Sequence, residues 1–118
     1  MYYNVSMDFV YCVITTTTDD KNIANDIAQT LISERLVACV QSYVVQSQYR
    51  WQGEVADESE ILLQMKTKSC LYGVIKEKIK SLHNYDIPEI VMVPIMDANK
   101  EYLHWIDEEV IQCDLSIW

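Results

Sequence analysis

Residues 38–67 constrain this chain more than any other stretch. From Ala38 to Trp51 the side chains fall into two alternating sets, as a long strand requires. Tyr43, Val45, Tyr49 and Trp51 share one face; Val40, Val44, Gln46, Gln48 and Arg50 share the other. Gln52-Gly53 supplies a two-residue turn, and the chain returns through Glu54-Val55. Ala56-Asp57-Glu58-Ser59 interrupts the alternation, which predicts a bulge or a bend there. Glu60 to Thr67 resumes it, with Ile61, Leu63 and Met65 on one side and Leu62, Gln64, Lys66 and Lys68 on the other. Such a hairpin is over-long for a chain of 118 residues. Its tip has no core of its own chain to cover.

The flanking segments supply the rest of a sheet and its helices. Phe9 to Ile14 is an apolar run rich in β-formers and reads as a strand buried on both faces. Thr15 to Thr18 read as a hydroxyl-rich strand exit; without a glycine or a following Lys-Ser or Lys-Thr they are no phosphate loop. Asp19-Asp20 suit a helix start, and Ile23, Ile27 and Leu31 with Ala24 and Ala28 predict a helix to about Leu36. Ser69 is placed as the N-cap of a second helix striped by Leu71, Val74, Ile75, Ile79 and Leu82. A strand over Ile90 to Val93 follows, ending near Pro94. Asn99 is placed to cap a third helix, Glu101 to about Gln112, with Leu103, Ile106 and Val110 inward.

The order β-α-β-β-α-β plus a terminal helix predicts one α+β domain over 1–118, a ferredoxin-like sandwich with a four-stranded antiparallel sheet. Right-handed crossovers put both main helices on one face. The opposite face should be polar. Instead, strands one and four are apolar on both sides, and Leu62 and a row of tyrosines add to them. An apolar face of that extent predicts a homo-oligomer.

The net charge of -9 argues against nucleic acid, whose phosphates need clustered cations. Five lysines over 66–80 stand against Glu77 alone and form the one basic patch suited to an anion. Cys12, Cys39, Cys70 and Cys113 include no C-x-x-C pair, and the expectation is four buried free thiols rather than disulfides. The first residues lack the basic and apolar regions of a leader, and no run reaches the ~18 apolar residues of a membrane span. The expected location is the cytoplasm, with no membrane partner.

Function is sought in Leu82-His83-Asn84-Tyr85-Asp86-Ile87-Pro88-Glu89-Ile90. A helix-to-strand connection needs only turn chemistry, yet this one carries an imidazole, a phenol and two carboxylates. His83 is a candidate metal ligand with Tyr85, Asp86 or Glu89, and mixed N and O donors favour Cu²⁺ over Mg²⁺ or Ca²⁺. A lone histidine placed for hydrogen bonding is the competing reading. Tyr49, Trp51, Tyr85, Tyr102 and Trp105 form a candidate stacking pocket, with Lys66 facing an anion. Cys39 reads as core and His104 as surface. No catalytic constellation can be assembled, which predicts a protein that is not an enzyme.

Four stretches in register carry a resemblance. Glu34-Arg35-Leu36-Val37-Ala38-Cys39-Val40, Tyr49-Arg50-Trp51-Gln52-Gly53, the 82–90 segment, and Tyr102-Leu103-His104-Trp105 look like the CutA divalent-cation-tolerance proteins, over roughly residues 9–110. The resemblance implies a ferredoxin-like homotrimer whose hairpins wrap neighbouring subunits, akin to PII-type signalling proteins. It also implies a role in tolerance of copper and other divalent metals. Leu82 and Thr16 stand where some copper-binding members carry His and Cys, so only His83 of that set is kept. Two alternatives go with it. One is a PII-like sensor holding a small anionic ligand in an inter-subunit cleft lined by Arg50, Trp51, Lys66, Tyr85, Asp86, Glu89 and Tyr102. The other is a non-catalytic scaffold.

Overall fold

The computed structural model describes residues 9–113. Its elements are β1 (Tyr11–Thr18), α1 (Lys21–Ser33), β2 (Cys39–Trp51), β3 (Glu54–Lys68), α2 (Tyr72–Leu82), β4 (Val91–Pro94) and α3 (Lys100–Glu109). The strands form one sheet in the order β2-β3-β1-β4, each neighbouring pair antiparallel. That is the ferredoxin-like arrangement expected, with the terminal helix added.

Strand periodicity decides which side chains meet the main helices. Cys12 and Ile14 of β1 and Leu63 and Met65 of β3 point to one face, where they pack with Ala24, Ile27 and Leu31 of α1 and Ile75 and Ile79 of α2. Burying each of the larger aliphatic groups contributes about 1.5–3 kcal/mol. Asp20 caps α1, its side chain accepting from the amides of Asn22 at 2.8 Å and Ile23 at 3.2 Å. The helix closes with Arg35 at φ 58°. The Arg35 amide donates to the Ile32 carbonyl and the Leu36 amide to the Leu31 carbonyl, the paired bonds of a Schellman motif. The Arg35 guanidinium then reaches the carbonyls of Glu108 at 2.7 Å and Glu109 at 2.9 Å. A cation there offsets the negative end of α3.

Several expectations are corrected. β1 runs through Thr18 rather than ending at Ile14, because threonine is β-branched and its alternation continues that of the apolar run. Thr16 and Thr18 are fully buried on the helix-covered face. The hairpin carries no bulge at 56–59: pairing is continuous from Trp51↔Glu54 to Cys39↔Lys66. Asp57, which broke the alternation, is accommodated across the strands by the amides of Gln46 at 2.7 Å and Gln48 at 3.3 Å. The turn itself is as expected, with Gln52 at φ 51° and Gly53 at φ 83°, the pair of positive values a type I′ turn needs.

Ser69 is not the N-cap of α2. It opens a 3₁₀ turn, Ser69–Leu71, and its amide is drawn to the Val10 carbonyl at 2.7 Å. α3 stops at Glu109, where Arg35 holds its last carbonyls, and Asn99 makes no side-chain cap.

α3 packs on the face opposite α1 and α2. Tyr11 and Lys68 point there, and Asp107 accepts from the Tyr11 hydroxyl at 2.6 Å and pairs with the Lys68 ammonium at 3.2 Å. Ile106 beside them is fully buried. Burial and the bond to Asp107 push the Tyr11 phenol up to about 12, and the same bond holds the Asp107 carboxyl low. The remainder of that face stays uncovered: Val93 is 51% exposed, Val91 44% and Tyr43 49%.

The cysteine expectation fails for one pair, since Cys70 and Cys113 are joined in a disulfide. They lie 43 residues apart, and only the packing of α3 brings the segment after it to the turn before α2. Cys12 and Cys39 are free; Cys39 lies opposite Lys66 on the open face, half-buried rather than in the core. Among the described residues no helix is long and apolar enough to cross a membrane.

Candidate functional site

The 83–90 connection is stitched to the end of β1 and to β3 by side-chain hydrogen bonds. Asn84 accepts from the Thr18 hydroxyl at 2.7 Å and donates its amide to Asp19 at 3.0 Å. The Tyr85 hydroxyl donates to Glu60 of β3 at 2.7 Å. Glu89 accepts from the Thr15 hydroxyl at 3.4 Å.

His83 sits at the C-terminus of α2 with extended backbone, so its ring turns back across β1. Nε2 is 2.8 Å from the Thr17 carbonyl, which can only accept, and therefore carries the proton. Nδ1 accepts the Tyr85 amide at 3.1 Å. Both nitrogens are occupied by backbone, and the Tyr85 ring lies 4.9 Å away. Burial holds the His83 imidazole below its usual range, against the opposing pull of the Thr17 carbonyl and of Asp19 and Glu60. The neutral ring is the form this geometry needs, since a proton on Nδ1 would face the Tyr85 N–H.

This arrangement does not fit a metal ligand at His83, because no ring lone pair is free. Among the described residues no three His, Cys, Asp or Glu side chains gather closely enough to hold an ion.

A groove of about 760 Å³ lies between this connection and the hairpin. Tyr49, Trp51 and Tyr85 form its aromatic walls; Asp19, Glu58, Glu60, Asp86 and Glu89 line it with carboxyl groups. Among the described residues no lysine or arginine lines it. Partial desolvation and the neighbouring Glu58 and Glu60 raise the Tyr49 phenol, and burial with the Glu60 bond raises Tyr85 further.

The structure therefore divides the candidate cleft residues. Trp51, Tyr85, Asp86 and Glu89 come together in the groove. Arg50 lies on the opposite face of β2, across from Val55, as the two-residue period dictates. Lys66 and Tyr102 meet elsewhere, the ammonium 5.7 Å from the ring centroid and bonded to Gln41 at 2.9 Å. The lysine patch is also partly engaged, Lys78 with Glu34 at 3.3 Å and Lys80 with Glu77 at 3.7 Å. His104 is on the surface as expected, paired with Glu108.

Glu60 was absent from the candidates, and the alternation of 60–67 held the signal for it. It is an acid facing the same side as Leu62, 5% exposed, in a strand flanked on both sides. Its side-chain donor among the described residues is Tyr85. Tyr85→Phe should thus leave a buried carboxyl unsatisfied and cost about 1–3 kcal/mol. Denaturant melts of the two proteins check this; coincident curves would mean that water replaces the phenol.

Comparison with known proteins agrees with this fold. The family described as CutA1 divalent ion tolerance protein matches residues 12–109. A divalent-cation tolerance protein CutA of Thermus thermophilus is 44% identical over 97 residues, covering 81% of this chain and 94% of the relative. One from Pyrococcus horikoshii is 36% identical, covering 82% and 95%. The solved Thermus thermophilus structure superimposes with a TM-score of 0.81 at 42% identity, over 85% of this chain and 98% of that one. CutA1 from Oryza sativa gives 0.84 at 33% identity, over 88% and 96%. The four stretches that carried the resemblance all lie within residues 12–109, and the chain belongs to the CutA1 divalent ion tolerance family.

Proposed function

We propose that this protein serves divalent-cation tolerance as a non-catalytic homotrimer whose subunits pack through the open sheet face and the hairpins. The observation that carries the reading is the uncovered apolar surface of β1 and β4, with Val91 and Val93 44% and 51% exposed beside Val13. A surface of this kind is costly to leave in water and marks an interface. Trp51, 42% exposed beside the turn of a hairpin whose β2 strand is mostly exposed, supports the same assembly.

Contact with Cu²⁺ is weak in this reading and does not run through His83. A cation at Nδ1 would have to displace the Tyr85 amide that holds the connection closed. Calorimetric titration of Cu²⁺ into the wild type and His83→Ala tests it, with native mass spectrometry of both. The expected outcome is a trimer and equal affinity. Affinity lost only in His83→Ala would restore the histidine as a ligand, and a folded wild-type monomer at micromolar concentration would end the trimer reading.

A further inference from the structure

Cys70 and Cys113 take no part in the groove or the open face. Their Cα atoms are 6.2 Å apart, within the span a disulfide bridges without backbone movement. The residues matched to the family end at 109, so Cys113 lies beyond them. Cys70 is exposed, in the turn between β3 and α2, and Cys113 is half-buried. The free thiols differ. Cys12 is fully buried, and burial pushes it up to about 11, which leaves it little thiolate with which to react. Cys39 stands on the open face opposite Lys66, on a different element from either bonded cysteine.

What the bond fastens is the segment after α3. The helix itself is held by Asp107 to Tyr11 and Lys68, by buried Ile106, and at its end by Arg35. Past Val110 the backbone has one hydrogen-bonded anchor among the described residues, the Ile111 amide on the Arg35 carbonyl at 2.9 Å. The next attachment is Cys113 to Cys70.

We propose that Cys70 and Cys113 are a reversible dithiol–disulfide pair, taking low-molecular-weight disulfides as oxidant, that clasps the C-terminal end of α3 to the start of α2. The exposed Cys70 thiolate attacks one sulfur of the small disulfide, forms a mixed disulfide and expels a thiolate. The Cys113 thiolate then attacks the Cys70 sulfur, closing the intrachain bond and expelling the second thiolate. Two protein thiols lose two electrons and two protons, and the small disulfide takes up both as two thiols. Excess small thiol runs the sequence backwards. The inference lies within one chain and does not depend on the trimer or on metal binding.

The test uses the full chain in buffers of varied oxidised to reduced glutathione. Alkylation and mass measurement after denaturation should find two free thiols at the oxidising end and four at the reducing end. Hydrogen exchange over residues 106–113 should become on the order of tenfold faster on reduction, with the β1–β3 core unchanged. Opening a loop closed over 43 residues should lower Tm on the order of 10 °C. Cys70→Ser and Cys113→Ser should each resemble the reduced protein at every ratio. If either variant fails to fold, the wild-type titration still decides the matter. Four free thiols throughout, or a bond that excess thiol never opens, would overturn the reversible pair. Identical exchange over 106–113 in both states would overturn the clasp.

Discussion

Val93→Glu is expected to yield a folded chain that no longer assembles. Val93 lies across from Val13 on the open face, 51% exposed in the single chain, so its side chain contributes little to the helix-covered core. In the proposed trimer the position is buried between subunits. A carboxylate placed there without a partner costs several kcal/mol, and a loss of about 4 kcal/mol is ~10³-fold in association. Native mass spectrometry and sedimentation at low micromolar concentration should show a monomer where the wild type is a trimer, with secondary structure retained by circular dichroism. An oligomer of unchanged mass would mean that another surface joins the subunits.

His83→Ala should destabilise the chain by about 2 kcal/mol, since it removes two part-buried hydrogen bonds and leaves the Thr17 carbonyl and the Tyr85 amide to find water. The pH dependence has a definite sign. The folded protein holds His83 below its reference value of 6.5, so the neutral ring contributes stability that is complete above about pH 6.5. That contribution fades as pH falls from there through the lowered folded value. Chemical melts from pH 8 to pH 5 should show wild-type stability declining more steeply in the acid range than that of His83→Ala. Parallel curves would place the acid sensitivity on other groups.

Much of the fold was legible in residue order. A two-residue period in 38–67, a four-residue period at Ile23, Ile27 and Leu31, and the Gln52-Gly53 turn are local signals, and the conformations they report are local too. The two sets of side chains on β2 and the helix-facing set on β3 came out as read. The apolar excess on β1 and β4 also gave the open face correctly, because hydropathy on an alternating strand needs no knowledge of its neighbours. Asp57 misled for the same reason: a charged residue breaks the pattern in sequence, while the amides that accommodate it belong to the opposite strand.

The contacts of the candidate site were decided largely at longer range. Which of the aromatic and charged residues share the groove depended on strand face and on the path of the 83–90 connection; this separates Trp51 from Arg50, its neighbour in sequence. That His83 was a hydrogen-bonding histidine or a ligand could not be read from its composition. Thr17, 66 residues away, takes one nitrogen, and the local Tyr85 amide takes the other. Cys70 and Cys113 look no different in sequence from Cys12 and Cys39. Sequence by itself determined the element order, the register-setting hairpin, the apolar open face and the family of this protein, because periodicity and motif are written along the chain. Tertiary structure alone decided the pairing of His83 with Thr17, of Glu60 with Tyr85 and of Cys70 with Cys113, because each is a meeting of segments 25 to 66 residues apart that only the packed sheet and helices bring within bonding distance.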